Sequence, residues 1–337
     1  MRSDAPPFQY GRKIFRRSEA RLSVDVWSLP SPSFRRPRPV FHRLPVLAAA
    51  LLLSACQIAG PVPAEQTPEP LRIAAWNAEH LTAAAGAGCV PRDEAALDLV
   101  ASYIARVDAD IWLLQEVDGE EALARVFGEG WTFHVEQRAP AGDYPACRGR
   151  EDGARLRAQN TAIALRKGID HARLPDLTAL DLAGDRRTRY GVAITLPGPV
   201  PTDILSVHLT SGCFSGDSSE RCPALLEQAD VLETWIDTRS AEGRAGIVGG
   251  DFNRRLEAEG DPVWAGLNDG DPASLYIAGA GTGPSCDPRY KEFIDFLVLN
   301  EPARSRKIAG SFHETTYDTP ARPSDHCPIS VDLMHID

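Results

Sequence analysis

Residues 323–331 read Pro-Ser-Asp-His-Cys-Pro-Ile-Ser-Val, so that an acid and a histidine stand side by side just before an apolar run. Adjacent ionisable residues at the edge of a strand-like segment indicate a functional site rather than packing, because such residues are seldom buried without a partner. Four more apolar runs end in polar residues of catalytic type: residues 73–77 (Ile-Ala-Ala-Trp-Asn), 111–116 (Ile-Trp-Leu-Leu-Gln-Glu), 204–208 (Ile-Leu-Ser-Val-His) and 247–253 (Ile-Val-Gly-Gly-Asp-Phe-Asn). The sequence therefore predicts five strands whose ends meet at one place.

From Leu71 onward the chain carries both strand and helix signals. Apolar runs of strand length, mostly bounded by Gly, Pro or Asp, occupy residues 71–76, 110–115, 161–165, 190–196, 203–209, 245–250, 293–299 and 327–333. Apolar residues recur at intervals of three and four in residues 94–107 and in residues 225–236, which follow Pro223. Because the strands outnumber the helices that lie between them, we expect an α/β (α+β) domain with helices on the outer faces of its sheets.

The first 56 residues have the layout of an export signal. Residues 1–43 are rich in Arg and Pro, and residues 44–56 form an apolar stretch that ends in Leu-Ser-Ala-Cys. This stretch is shorter than the roughly 20 residues that a membrane-spanning helix needs. Its end resembles a bacterial lipobox, which implies cleavage before Cys56 and acylation of that thiol. The alternative is an ordinary cleaved signal with an incidental cysteine.

The expected mature protein is a cell-envelope lipoprotein with a single folded domain. Gln57 after the cysteine resembles outer-membrane sorting, with the domain facing the periplasm or the exterior. Residues 57–70 contain four prolines among small and polar residues, which is typical of a flexible tether. We therefore expect a leader and signal in residues 1–56, a tether in residues 57–70 and a monomeric domain in residues 71–337.

The charge of the expected mature part is strongly acidic. Without residues 1–56 the chain keeps 26 Lys and Arg against 44 Asp and Glu, a net charge of −18. A protein that grips nucleic acid by neutralising phosphates needs clustered Lys and Arg instead. If the substrate is a phosphoester, a divalent metal must supply the attraction.

Six cysteines remain after Cys56, and an even number in an exported chain favours disulfides. Six cysteines allow fifteen connectivities, and we predict only the pair Cys213–Cys222, which brackets a short polar loop. A zinc site is the competing interpretation, but the sequence contains no Cys-x-x-Cys or paired Cys/His spacing.

Asp295 is anomalous because it is a charged residue in the middle of the apolar run 293–299. Burying it without a partner would cost several kcal/mol, roughly. His326 is the candidate partner, since a carboxylate that accepts one ring N–H fixes the imidazole tautomer and raises the basicity of the other nitrogen. An ion pair with Arg289 or Lys291 is the alternative.

Three more strand ends carry candidate site residues, each of which also has an ordinary structural explanation. After residues 249–250, a Gly pair that lets a backbone approach a ligand closely, Asp251 and Asn253 are two apart and would point the same way in an extended segment. The alternative is a Gly-Asp turn in which the asparagine has a left-handed conformation. His208 ends its strand, where a lone histidine is more often packed or solvated than catalytic. Glu116 offers the hard oxygen that Mg²⁺ and Mn²⁺ prefer.

Taken in order, seven motifs resemble those of the endonuclease/exonuclease/phosphatase superfamily, which has the deoxyribonuclease-I-like fold. They are Trp-Asn at 76–77, Gln-Glu at 115–116, Arg-Tyr at 189–190, His208, Gly-Asp-Phe-Asn at 250–253, Ile-Asp-Phe at 294–296 and Ser-Asp-His at 324–326. The resemblance implies a four-layer sandwich in which two mixed β-sheets lie face to face with helices outside. It also implies a metal-dependent phosphoester hydrolase site at one edge of that sandwich.

The resemblance implies a role for each of nine residues. The catalytic residues would be His208, Asp251, Asn253, Asp295 and His326, Arg189 would bind the substrate, and Asn77, Glu116 and Asp325 would bind the metal. That metal would be Mg²⁺, with Mn²⁺ or Ca²⁺ as alternatives, and Glu116 would be its principal ligand.

Three hypotheses about function follow. The first is an exported, membrane-anchored, Mg²⁺-dependent nuclease or nuclease-like phosphodiesterase, whose partner is a nucleic acid or another phosphodiester. The second keeps the mechanism and changes the substrate to a small phosphoester, an inositol phosphate or a phospholipid headgroup. The third is a binding lipoprotein without activity, which has no need of both histidines and every carboxylate.

Overall fold

The computed structural model describes residues 69–140, 142–182 and 188–334. The leader, the acylation site Cys56 and residues 57–68 of the tether lie outside these ranges, so the predictions made for them stay predictions. Within the described ranges, no helix has the length and apolar character needed to cross a membrane.

Two six-stranded sheets form the domain. The first has the strand order β11-β12-β1-β2-β4-β3 and the second has the order β5-β6-β7-β8-β10-β9. The strands are β1 Leu71–Leu81, β2 Ile111–Val117, β3 Trp131–Val135, β4 Asn160–Arg166, β5 Ala172–Arg173, β6 Val192–Leu196, β7 Thr202–His208, β8 Ala245–Asp251, β9 Tyr276–Ile277, β10 Asp295–Leu299, β11 His313–Glu314 and β12 Ile329–Leu333. The helices are α1 Glu94–Val107, α2 Glu120–Phe127, α3 Cys222–Ala241, α4 Pro262–Leu267 and α5 Glu301–Arg306.

Each sheet is mixed because it contains one parallel pair among antiparallel neighbours. β1 pairs with β2, and β7 pairs with β8, in parallel. A parallel pair needs a long connection, which α1 supplies in the first sheet and α3 in the second. Both helices that apolar spacing predicted are therefore confirmed, and α1 begins where the Asp93 carboxylate accepts the Ala96 N–H at 2.8 Å.

The sheets pack face to face over the main core. Along β1 alternate residues enter two cores, because successive side chains of a strand point to opposite faces. Ile73 and Ala75 pack between the sheets, whereas Ala74 and Trp76 pack against α1 and α2. On the second sheet, α3 adds buried residues such as Leu232 to the main core. The predicted four-layer sandwich is confirmed.

The strand predictions needed two corrections. β3 was missed, although Trp131–Val135 lies at the edge of the first sheet, and the two-residue strands β5, β9 and β11 are too short to give a periodic signal. Asp295 is the first residue of β10 rather than its middle residue. Its carboxylate therefore stands at the end of the sheet and not inside the core.

All six cysteines of the described domain are paired. The predicted bond Cys213–Cys222 is present, and two further bonds join Cys89 to Cys147 and Cys286 to Cys327. The last two pairs are separated by 58 and 41 residues, and no local loop signals them. The competing interpretation of these thiols as a zinc site is wrong.

Candidate active site

Three candidate residues lie in one row at the end of the second sheet. In the parallel ladder His208 stands opposite Asp251, and in the antiparallel ladder Asp251 stands opposite Asp295. Neighbouring strands are about 4.8 Å apart, so side chains in register can meet directly. His208 Nε2 lies 3.5 Å from Asp251 Oδ2.

The first sheet contributes to the same edge from the other side. Asn77 and Gln115 are in register in the parallel pair of β1 and β2. The Asn77 side-chain amide donates to Asp251 Oδ2 at 3.0 Å, and the Gln115 amide donates to Ser206 Oγ at 3.3 Å. These bonds join the two sheets beside the row of the second sheet.

Gly250 is required at this junction by protein neighbours rather than by a ligand. A Cβ atom built on it would lie 2.1 Å from the Val207 carbonyl oxygen and 2.6 Å from Gln115 Nε2. Its φ of 139° is also one that side chains rarely permit. The sequence-based expectation that the Gly pair admits a ligand is replaced by close approach of the two sheets.

His326 reaches the row from the loop before β12. Its Nδ1 lies 2.7 Å from Asp295 Oδ2, and its Nε2 lies 3.9 Å from Asp251 Oδ2. The loop is fixed because the His326 N–H donates to Ser324 Oγ at 3.0 Å, and that hydroxyl donates to the Asn77 carbonyl at 2.7 Å. The predicted pairing with Asp295 is thus present, whereas Arg289 pairs with Asp287 instead.

The pKa values of the two histidines are shifted in opposite directions. Burial, assisted by Arg189, lowers the pKa of His208 to about 3, so its ring is neutral. Burial also acts to lower the pKa of His326, but Asp295 and Asp251 outweigh it and hold that pKa well above its usual value. Burial, assisted by Asp295, raises the pKa of Asp251 to about 7. Both pKa shifts, upward for Asp251 and for His326, favour protonation at this end of the sheet.

Backbone strain is concentrated at this edge. Five non-glycine residues in the described ranges have positive φ, and four of them line one cavity: Glu79, His80, Glu116 and Asn253. Such conformations cost of order 1–3 kcal/mol each and cluster at functional sites. The fifth is Asp108, which ends α1.

A cavity of about 590 Å³ encloses the row. All nine residues for which the sequence predicted a role at the site line it: Asn77, Glu116, Arg189, His208, Asp251, Asn253, Asp295, Asp325 and His326. Arg189 is anchored by Gln159, whose backbone and side-chain oxygens accept its guanidinium N–H groups at 2.8 and 2.9 Å. The predicted residues are thus brought together, and their individual roles stay predictions.

Sequence reasoning missed two residues at the end of β1. The Glu79 carboxylate accepts the Asp325 N–H at 3.0 Å, which ties the β1 end to the His326 loop. The His80 N–H donates to Glu116 Oε2 at 3.1 Å, and its ring Nε2 lies 3.4 Å from the same oxygen. Because β1 runs past Asn77 to Leu81, a strand predicted to end near residue 77 hid both residues.

The predicted metal ligands are of the chemical type that a hard divalent cation prefers. Glu116, Asn77 and Asp325 all offer oxygen atoms, which Mg²⁺ prefers. Asn77 Oδ1 already accepts the Glu79 N–H at 3.0 Å, and it keeps a second lone pair. A different group of donor atoms, on Asp251, Asp295 and His326, comes within 4.8 Å of one another. In that group His326 and Asp295 already contact each other at 2.7 Å.

An acid–histidine pair beside a carboxylate-lined cavity, at the edge of two packed sheets, is an arrangement suited to hydrolysis. Residues 74–326 match the model of the Endonuclease/Exonuclease/phosphatase family. The chain belongs to this family, whose members are phosphoester hydrolases of nuclease or phosphatase type.

Two solved structures share the fold at low sequence identity. The catalytic domain of human Nocturnin, solved with a bound sulfate anion, has a TM-score of 0.53 and 18% identity over 78% of this chain and 93% of that chain. Truncated TDP2 from Caenorhabditis elegans has a TM-score of 0.53 and 19% identity over 79% of this chain and 98% of that chain. No curated protein sequence matches this chain.

Proposed function

We propose that the protein hydrolyses phosphodiesters as a nuclease-like enzyme that depends on Mg²⁺. The observation that carries the proposal is the row His208–Asp251–Asp295, with His326 held 2.7 Å from Asp295. Attack on a phosphodiester requires an activated water, stabilisation of developing negative charge and help for the departing oxygen. The row, His326 and the residues on the other side of the cavity together offer a group for each of these tasks.

Asp251 is placed to orient the attacking water and take its proton, because it lies between the two imidazoles. The Asn253 N–H donates to Asp251 Oδ1 at 2.8 Å and fixes that carboxylate. His326 offers Nε2 to a phosphoryl oxygen while Asp295 holds Nδ1. The His208 Nδ1 atom is buried without a hydrogen-bond partner among the described residues, and we assign His208 to the scissile phosphate or the leaving oxygen.

Residues on the other side of the cavity are assigned to neutralise the charge of the phosphoryl oxygens. A divalent cation held by Glu116, Asn77 and Asp325 would supply Lewis-acid stabilisation of charge on the phosphoryl oxygens. Arg189, fixed by Gln159, is placed to bind a phosphate oxygen.

A small phosphoester is the second candidate substrate, and the charge of the cavity favours it. Acidic side chains dominate the lining, against the arginines Arg189 and Arg255: Glu79, Glu116, Asp251, Asp287, Glu292, Asp295, Glu314 and Asp325. A long polyanion gains little binding affinity from such an acidic surface. A phosphomonoester, an inositol phosphate or a phospholipid headgroup presents fewer charges.

Hydrolysis assays on the full-length protein in detergent separate these possibilities. Plasmid DNA, bis-p-nitrophenyl phosphate and p-nitrophenyl phosphate are each incubated with millimolar Mg²⁺ or with EDTA, beside the variant His326→Ala. We expect diester cleavage that is lost in EDTA and in the variant. Cleavage of the monoester alone would move the substrate to the second candidate. No hydrolysis of any of the three with Mg²⁺ would contradict a general phosphodiesterase activity and leave a narrower substrate or the binding lipoprotein.

We also propose that the protein is exported and anchored through an acylated Cys56. The signal layout of residues 44–56 supports this, and so do the three disulfides, since such bonds persist in oxidising compartments. When cells that express the protein are grown with radioactive palmitate, the protein isolated from their membrane fraction should carry the label. Equal labelling of the variant Cys56→Ala would contradict the proposal.

A further inference from the structure

Two exposed aromatic rings line the cavity. Among the described residues, the exposed large apolar side chains are Val200, Phe214, Tyr290 and Met334. Phe214 is 40% exposed and Tyr290 is 53% exposed, and these two aromatic members of the set both lie in the cavity wall. Neither ring belongs to the row His208–Asp251–Asp295, so a role in that row does not explain why the rings are exposed in the cavity wall.

The loop that carries Phe214 is rigidly braced. It follows β7, six residues beyond His208, and the bond Cys213–Cys222 closes it. The buried Arg254 donates to the carbonyl oxygens of Cys213 and Gly216 at 3.0 and 2.7 Å. The Arg255 N–H donates to the Phe214 carbonyl at 2.9 Å.

Tyr290 is fixed on a second loop, which the bond Cys286–Cys327 ties to the residue after His326. The Tyr290 N–H donates to the Asp287 carbonyl at 3.0 Å. The Asp287 carboxylate in turn accepts from Arg289 at 2.7 Å and from Arg322 at 2.8 Å.

The two loops approach each other at the cavity wall. Arg255, next in sequence to the brace Arg254, places its Nε 3.5 Å from the Glu292 carboxylate, two residues after Tyr290. Each aromatic ring therefore lies in the wall of the cavity that both histidines also line, on a loop that a disulfide restrains. A ring fixed in this way loses little conformational entropy when a flat ligand binds to it.

We propose that Phe214 and Tyr290 are stacking platforms for nucleobases, so that the substrate is a single-stranded nucleic acid or a nucleotide ester. The inference rests on the proposed phosphodiesterase function and narrows its substrate class. Every base has an apolar face that stacks on an aromatic ring whatever its sequence. The platforms bind the bases that flank the scissile phosphate in the catalytic row.

Exposure of the base faces distinguishes single strands from duplex DNA. The acidic lining offers few phosphate contacts, so base stacking must supply affinity that other nucleases gain from cations. In a duplex the base faces are hidden against one another, whereas single strands expose them.

The test compares two substrates that differ only in their bases. The full-length protein in detergent with Mg²⁺ is given a single-stranded oligonucleotide and an abasic oligomer of the same length, and kcat/KM is measured for each. We expect the wild type to prefer the base-bearing strand by about a hundredfold, because two stacked bases contribute roughly 1–3 kcal/mol each.

Variants assign this preference to the rings. Phe214→Leu and Tyr290→Leu should each move the kcat/KM ratio about tenfold towards one, mainly through KM, whereas Tyr290→Phe keeps the ring and should keep the ratio. Val200→Ala is the matched control, because it removes exposed apolar surface before β7, at the strand end opposite His208. Thermal melting of each variant checks that it is folded.

Three results would overturn the inference. An equal kcat/KM for both oligomers in the wild type would show that bases are not bound. A ratio unmoved by both leucine variants would place the base contact elsewhere, and hydrolysis of phospholipid vesicles that the leucine variants abolish would assign the rings to lipid. If the wild type cleaves neither oligomer nor bis-p-nitrophenyl phosphate, the proposed function fails as well, and that outcome is distinct from the others.

Discussion

The variant Asp295→Asn is expected to lower kcat for phosphodiester hydrolysis by roughly 10²- to 10⁴-fold, the range that a positioned acid or base contributes. Asparagine has nearly the same shape but cannot carry the negative charge that orients His326 and holds its proton. The imidazole then loses the negative charge that lies 2.7 Å from Nδ1. Single-turnover kinetics with bis-p-nitrophenyl phosphate would isolate this loss from substrate binding.

Metal affinity separates two explanations of that loss. If Asn77, Glu116 and Asp325 bind the cation, calorimetric titration with Mg²⁺ should give nearly the same Kd for Asp295→Asn and the wild type. If the cation binds instead between Asp251, Asp295 and His326, the donor group within 4.8 Å, the Kd should rise. Glu292→Gln, which also removes one carboxylate from the cavity wall, is the control for a general charge effect. An activity above a tenth of the wild-type value would contradict the role of Asp295.

The sequence predicts a site residue where its residue type is unusual for its surroundings. It does not predict a site residue whose position depends on an unusual backbone conformation. Asp295 was paired with His326 correctly, because a carboxylate beside an apolar run needs a partner. Glu79 and His80 gave no such signal, since their importance lies in positive φ angles of 45° and 54°. Propensity rules expect glycine at such angles, so sequence reasoning placed no strand end there.

The fold shows the same division. The helices α1 and α3 and most strands follow from apolar spacing, because burial on one face imposes that spacing. The bonds Cys89–Cys147 and Cys286–Cys327 join residues far apart in the chain. Only the packing of the two sheets and their loops brings those thiols together, so local spacing does not predict them.

The variant Arg254→Met is expected to destabilise the domain by about 3–5 kcal/mol, the cost of breaking a buried ion pair. Arg254 and Asp261 have side chains that are 0% and 1% exposed, and Arg254 Nε lies 2.6 Å from Asp261 Oδ2. Methionine fills a similar volume but leaves the Asp261 carboxylate buried without its cation. It also removes the donors to the carbonyls of Cys213 and Gly216.

Urea unfolding measures this loss, with Arg304→Met as the control. Arg304 pairs with Glu301 at 3.2 Å, but both side chains are about half exposed. Such a surface pair contributes about 0–1 kcal/mol. A loss below about 1 kcal/mol for Arg254→Met would contradict the buried-pair argument.

A second substitution tests whether the stability lost in Arg254→Met comes from the unpaired negative charge of Asp261. Asp261 also begins α4, where its Oδ1 accepts the N–H groups of Val263 and Trp264 at 3.1 and 3.0 Å. Asparagine can keep those bonds while losing the charge. The double variant Arg254→Met/Asp261→Asn should therefore recover part of the stability that Arg254→Met loses. If the double variant is no more stable than the single one, the loss comes from the unbraced loop 213–222, and the position of Phe214 depends on Arg254 itself.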